Sequence, residues 1–344
     1  MPLEDPVSRA ISALAERADI PASLAMQAFA QVMAGEASPV QIAALLVALR
    51  VKGESAAELE GAVLALRAAM LRMEGGATRH LVDTCGTGGG TSTFNISTAA
   101  ALVAAGAGAR VVKHGNRSFT SRSGSADVLE ALGVDIQLDP ARAARVLERC
   151  GMTFLFAPLY HPAMRHVGPV RRELGLSTIM NLLGPLANPA GATRQVVGVG
   201  AAARAPLLAD TLALLGAERA FVVHAPAGLD EIAPPGLGPT DVWEVRRGTV
   251  ERWSLDAARF ALPAGAAPEL AGGSPQDNAR IVTEVVHGRD RSVRRSAVVV
   301  NAAAALVAAE VAEGWEEAVA RAGESIDSGA AATVLERLRR ESRA

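Results

Sequence analysis

From residue 80 onward, short apolar runs alternate with alanine-rich helical stretches, and this alternation constrains the fold more than any other feature of the chain. "HLVDT", "ARVVKH", "MTFLFA", "RQVVGVG" and "RAFVVHA" read as strands. The stretch after the first run reads as helical, as do those near 125–133, 141–150 and 203–215. Strands separated by helices predict an α/β class with a central, mostly parallel sheet and helices on both faces. Residues 234–262 have more Gly and Pro, and "DVWEVRRGTVERWSL" predicts an antiparallel hairpin about Arg247-Gly248. Helices return over 275–343.

Before this pattern lies a different one. Residues 5–72 show helix periodicity in segments starting near Pro6, Ser23, Ser38 and Ser55, with no strand signal. Ser38-Pro39 is a cap followed by proline at the first helical position, Ser55 and Glu58 have capping-box spacing, and Gly35 and Gly53 punctuate ends. A small all-helical unit is expected there.

Composition removes several function classes. Net charge is −2, which draws the chain to neither nucleic acid nor anionic membrane. Cys85 and Cys150 are the only cysteines, too few for a disulfide framework and not spaced as metal ligands, which fits a reduced, cytoplasmic compartment. The N-terminal stretch carries early acids and no apolar core of a signal peptide. The longest apolar stretches, such as "STAAALVAAGAGA", are too short to span a bilayer.

Four segments carry candidate chemistry. "DTCGTGGGTSTFNIST", residues 83–98, joins a strand to a helix, where free backbone N–H groups favour anions and glycines admit a phosphate closely. Thr87, Thr91, Ser92, Thr93, Ser97 and Thr98 add hydroxyls. The dinucleotide pattern fails, since it needs glycine at Thr91, and the Gly-Lys-Ser/Thr of P-loops is absent. A tight turn without a ligand is the plainer reading of this loop alone. "KHGNRSFTSRSGSAD", residues 113–127, also follows a strand and places three cations among small donors. Two such loops on neighbouring strands favour a bound phosphate. "GLDE" places Asp230 and Glu231 after a strand, where they are either a solvated acidic pair or ligands for a hard cation such as magnesium. "FAPLYHPAMRHVGPVRRELG", residues 156–175, predicts a helix from His161-Pro162 on which Arg165 and Arg172 share a face; Arg171 is turned away from Arg172, and the residues alone do not choose among these arginines.

Together, "GTGG…TFNIST", "KHGNRS…SGSADVLEALGV", "FLFAPLYHPAMRHVGPVRRELG", "NLLGPLANPAG", "GLDE" and "NAAAAL" resemble the anthranilate phosphoribosyltransferase family, in family order and through most of the chain. The resemblance implies transfer of the phosphoribosyl group of phosphoribosyl pyrophosphate (PRPP) to the amine of anthranilate, with release of pyrophosphate, in tryptophan biosynthesis. It implies a helical dimerisation domain of residues 1–72 with about 163–188, and a PRPP-binding α/β domain of 73–162 and 189–344. A homodimer with a substrate cleft between the domains follows, and an amidotransferase partner in some organisms.

Carried over position by position, the resemblance gives Gly86, Thr87, Gly88, Gly89, Asn95, Ser97, Thr98, Lys113 and Ser125 to PRPP. It gives Gly86, His114, Asn116, His161, Met164 and Arg171 to anthranilate, Arg171 through its carboxylate. Ser97, Asp230 and Glu231 would bind Mg2+, and Lys113 and Arg171 are the residues expected to carry the reaction. The chain departs from the family's usual form in its glycine and acidic loops, and also at Ser177 of "LSTIMN", where many members carry arginine. "GTGGGTSTFN" is one residue shorter than G-T-G-G-D-G before "TFN", losing an aspartate, and "HAPAGLDE" has Ala225 and Ala227 where the family has glycine and aspartate. Pyrimidine nucleoside phosphorylases share the fold but continue their glycine loop into a lysine-serine segment, which is missing here.

Overall fold

A computed structural model describes residues 5–73, 80–118 and 122–344. The stretches 74–79, just before "HLVDT", and 119–121, within the basic loop, lie outside the described residues.

The N-terminal unit comprises α1 (Pro6–Ala15), α2 (Ala22–Ala34), α3 (Pro39–Lys52) and α4 (Ala56–Ala69). Its ends are set locally. The Ser38 and Ser55 hydroxyls cap α3 and α4, and the side chains of Gln41 and Glu58 return bonds to the cap amides, so both capping boxes close. Gly35 ends α2 at φ 78°, in the left-handed region that glycine enters without penalty. The second helix starts at Ala22 behind Pro21, one residue before Ser23. Helices α2 and α4 touch through Gly61, where a Cβ would stand 2.3 Å from the Ala22 carbonyl oxygen.

The sheet has seven strands: β1 (Leu81–Gly86), β2 (Arg110–Gly115), β3 (Met152–Phe156), β4 (Arg194–Gly198), β5 (Arg219–His224), β6 (Thr240–Arg246) and β7 (Thr249–Leu255). Their order is β3-β2-β1-β4-β5-β6-β7, parallel as far as β5 and antiparallel from β5 to β7. The expected hairpin forms: Arg247 at φ 46° and Gly248 at φ 86° make the two-residue turn whose twist suits antiparallel strands. Side chains alternate faces. Val196, Phe221, Val223 and Val242 pack into one core with the alanine-rich helix α5 (Ile96–Gly106) and the buried helix Val293–Ala308. Val197, Val222, Trp243 and Val245 face a second core shared with α1–α4.

That second core also contains Ala163, Val167, Val170, Ile179, Leu183 and Leu186. The segment expected as one helix from His161-Pro162 is instead a 3-10 turn, Pro162–His166, followed by a separate helix, Gly168–Leu174. A periodicity argument spanning Arg165 to Arg172 therefore fails, because the break at Val167 and Gly168 resets the helical phase. Arg67 of α4 donates from Nε and Nη2 to the Leu186 carbonyl at 2.9 and 2.7 Å, and Arg204 pairs with Glu54. The first contact ties α4 to the helix Met180–Leu186, and the second ties the loop before α4 to the 3-10 turn Ala202–Arg204 that follows β4.

The strand order fixes where a ligand fits. Successive strands run outward from β1 to β2 and β3, then the chain returns to the other side of β1 for β4 and β5. Such a reversal leaves a crevice beyond the carboxyl ends of β1 and β4.

Candidate functional site

The glycine loop leaves β1 at that crevice. Gly88 and Gly89 have φ of 67° and 78°, and Gly86, Gly88 and Gly89 are exposed. Thr87 N donates to the Gly198 carbonyl at 2.9 Å, which pins the loop to the end of β4. The acidic loop after β5 folds across the same place. A Cβ on Gly86 would lie 3.3 Å from Asp230 Oδ2, and one on Gly198 only 1.6 Å from the Asp230 carbonyl oxygen. Three strand tips therefore meet backbone to backbone, and the glycines are what permit it.

Lys113 on β2 points inward beneath this junction. It is 1% exposed, and Nζ donates to the Thr84 carbonyl and, over 3.3 Å, to Ser97 Oγ at the start of α5. Burial lowers its pKa, opposed by the carboxylates of Asp83 and Glu231. Asp83 accepts from His114 N at 3.1 Å and Asn188 Nδ2 at 2.8 Å, and burial pushes it up to about 6. Burial likewise raises Asp230, and raises Glu231 well above the carboxylate range, with the charge of Asp230 adding to the latter. Glu231 Oε2 is buried without a hydrogen-bond partner among the described residues. Thr84, Ser97, Asp230, Glu231 and Asn301 line the small cavity between these groups.

A second cluster lies on the side facing the helical unit. His114 Nδ1 is 3.1 Å from the Gly184 carbonyl, which only accepts, so this nitrogen carries the hydrogen. The neutral ring then offers a lone pair at Nε2, and His161 Nε2 donates to it across 3.2 Å. Burial lowers His114 to about 3 and His161 to about 4, so both rings are neutral at pH 7. Met164 packs at the edge of the helical core. Arg171 is half-buried, and its guanidinium has no hydrogen bond or ion pair among the described residues.

Because the histidine pKa values are depressed, the neutral pair stabilises the fold fully above the ordinary value of 6.5 and progressively less as pH falls towards 4. Asp83, shifted upward, works in the opposite direction through pH 6. The stability difference between wild type and His161→Gln cancels the latter. It is expected to shrink by about 1 kcal/mol per pH unit below 6.5 in urea titrations, while a constant difference would contradict the neutral pairing.

Other expected site residues are engaged internally. Asn95 Oδ1 accepts from Ser123 Oγ and Asn278 Nδ2, at 3.2 and 2.8 Å, so its amide braces the two loops against the helix Pro275–Val286. Thr98 is fully buried and its hydroxyl is unpartnered among the described residues. Ser125 Oγ sits where a Cβ on Gly115 would be, 2.1 Å away, and bonds the Asn116 carbonyl at 3.4 Å. Arg117, one of the basic loop's three cations, is committed to Asp127 and Glu130. Burial raises the Cys85 thiol well above its usual pKa, which suits no nucleophile.

Sequence reasoning missed Asp83, Asn188, Asn278 and Asn301. Asn301 Oδ1 accepts from Ile232 N at 3.0 Å while Nδ2 donates to Ile232 O at 2.9 Å, clamping the peptide after Glu231. A polar residue interrupting the apolar runs "HLVDT" and "VVVNAAAAL" was the available signal for Asp83 and Asn301. Asn278 had none.

A helical bundle beside a sheet with anion-ready turns at its reversal point is the construction of a glycosyl transferase. Residues 78–332 match the model described as "Glycosyl transferase family, a/b domain" and residues 8–70 that of "Glycosyl transferase family, helical bundle domain". An anthranilate phosphoribosyltransferase from Thermomicrobium roseum is 52% identical over 320 residues, 92% of this chain and 91% of that protein. The crystal structure of anthranilate phosphoribosyltransferase from Thermus thermophilus aligns with TM-score 0.90 at 42% identity, over 99% of this chain and 100% of that one. The Saccharomyces cerevisiae enzyme in complex with PRPP and Mg aligns with TM-score 0.89 at 28% identity, over 99% and 98%. The chain belongs to the anthranilate phosphoribosyltransferase family.

Proposed function

We propose that this chain transfers the phosphoribosyl group of PRPP to the amine of anthranilate. The bond from the ribose anomeric carbon to the pyrophosphate oxygen breaks, a bond to the amine nitrogen forms, and the amine gives up one proton. The observation that carries this reading is the convergence of an open glycine turn, the buried Lys113 and an unpartnered Glu231 oxygen at the β1–β4 crevice.

An aromatic amine is neutral at pH 7, so no strong base is required. The barrier lies in charge building on the leaving pyrophosphate, which fixed amides and a cation lower by electrostatics and positioning rather than by covalent chemistry. The free amides of Gly88 and Gly89, the α5 N-terminus and Lys113 would meet that charge, with Thr87 N holding the turn to the Gly198 carbonyl. Arg171 holds the anthranilate carboxylate, with Asn116, Met164 and the His114–His161 pair lining its side of the cleft.

Magnesium fits the acidic loop. A buried, unpartnered carboxylate oxygen is a hard ligand awaiting a cation, and no cluster of three or more His, Cys, Asp or Glu side chains among the described residues would hold an ion alone. Asp230, Glu231 and Ser97 would share it with substrate phosphates, as magnesium commonly requires. When bound, it neutralises diphosphate charge.

The same reading makes residues 1–72 with about 163–188 the helical dimerisation domain of a cytoplasmic homodimer. Val40 and Val51, 78% and 64% exposed on α3, are apolar surface suited to a partner copy. No helix among the described residues is long and apolar enough to cross a membrane.

The test is a fluorescence assay. Adding PRPP to protein, anthranilate and magnesium is expected to quench anthranilate fluorescence, with no quench when magnesium is chelated. Phosphorolysis of a pyrimidine nucleoside instead, without anthranilate consumption, would replace this reading with that of a nucleoside phosphorylase.

A further inference from the structure

The glycine loop and the acidic loop are joined by a residue with no role so far. Thr91 N donates to the Gly228 carbonyl at 3.0 Å, and Thr91 Oγ1 donates to the neighbouring Ala227 carbonyl. These two carbonyls form the tip of the acidic loop, two and three residues before Asp230. Beneath them the backbones touch directly. A Cβ on Gly90 would lie 2.7 Å from Gly228 O and 2.8 Å from Asp230 Oδ1, and one on Gly200 would lie 2.5 Å from Gly90 N. Ala227 itself has φ 59°, a left-handed conformation strained for a residue with a Cβ, and such strain persists only where surrounding contacts enforce it. The Thr91 bond to its carbonyl is one such contact. At the other end of the loop, the Asn301 clamp on Ile232 and the pairing of Ala225 N with the Leu229 carbonyl at 3.0 Å hold the base, so the tip is the part left to Thr91.

We infer that Thr91 is a positioning residue: its two hydrogen bonds hold the acidic loop down on the glycine loop, so that the turn gripping the diphosphate also sets Asp230 and Glu231. The assignment rests on the proposed function for its consequence and on the loop contacts for its geometry. Because the latch joins the two loops, loosening it exposes the acidic loop in the free protein and weakens PRPP binding where magnesium is limiting. The anthranilate side of the cleft, built from Arg171 and the histidine pair, is untouched.

Thr91→Val removes the hydroxyl and keeps shape and amide, while Thr91→Ser keeps the hydroxyl. Thr91 is exposed, so neither change disturbs a core. In the ligand-free protein, amide hydrogen exchange over residues 227–231 is expected to quicken about tenfold in Thr91→Val, the loss of one net hydrogen bond. Calorimetric affinity for PRPP at limiting magnesium is expected to fall about tenfold as well, with anthranilate KM within twofold of wild type and Thr91→Ser close to wild type throughout. Unchanged exchange in Thr91→Val overturns the inference, as does equal loss in Thr91→Ser or a matching rise in anthranilate KM. The exchange measurement needs no substrate, so it stands even if the wild-type protein fails to consume anthranilate, a result that would count against the proposed reaction alone.

Discussion

Replacing Arg171 by alanine is expected to raise the anthranilate KM on the order of 100-fold while leaving PRPP binding within a few-fold of wild type. The magnitude follows from losing a bidentate, charge-assisted contact of about 3 kcal/mol. The structural ground is an arginine that burial has partly stripped of water, lowering its pKa, and that has found no acid partner among the described residues. A half-buried cation in that state is completed by an anionic ligand. Arg172, its neighbour, is exposed and serves as the control: Arg172→Ala should change neither constant more than twofold. Steady-state kinetics with each substrate varied in turn decides the matter. Equal loss on both substrates, or equal effects of the two variants, would sink the assignment.

The second large effect is expected at Lys113. Lys113→Met keeps the length and apolar stem but removes the cation between Thr84, Ser97, Asp83 and Glu231. The kcat/KM for PRPP is expected to fall about 1,000-fold, as for loss of one preorganised charge at a developing anion. Stability should fall by about 2–3 kcal/mol, less than the ~3–5 kcal/mol typical of a broken buried pair. The reason is Asp83, already pushed up to about 6: without Lys113 it rises further and sheds its charge by taking a proton at neutral pH. The anthranilate KM should hardly move. A variant within tenfold of wild type in kcat/KM for PRPP would show that the buried ammonium does not act on the diphosphate.

Much of the architecture was legible in local chemistry. The capping boxes at Ser38 and Ser55, the hairpin at Arg247-Gly248 and the glycine turn after "HLVDT" each depend on residues close in sequence, whose backbone preferences survive folding. The resemblance in ordered motifs added the reaction. Errors arose where a short-range rule met a tertiary constraint. The helix expected from His161-Pro162 breaks at Val167–Gly168, where both pieces must bury Ala163, Val167 and Val170 in one core. The basic loop reads as a set of free cations, yet Arg117 is spent on Asp127 and Glu130 and Lys113 is sealed inside.

The sequence by itself determined the class of fold, the order of its elements and the two strand-end turns, because periodicity, capping and glycine geometry act over a few residues. Only the tertiary structure decided that the acidic loop lies on the glycine loop, with Ala227 against Thr91 from 136 residues away, that Asn301 clamps it, and that two histidines share one hydrogen bond. Those contacts arise from sheet order and from which backbones can approach without a Cβ between them. Such distances between remote segments leave no local trace in the chain.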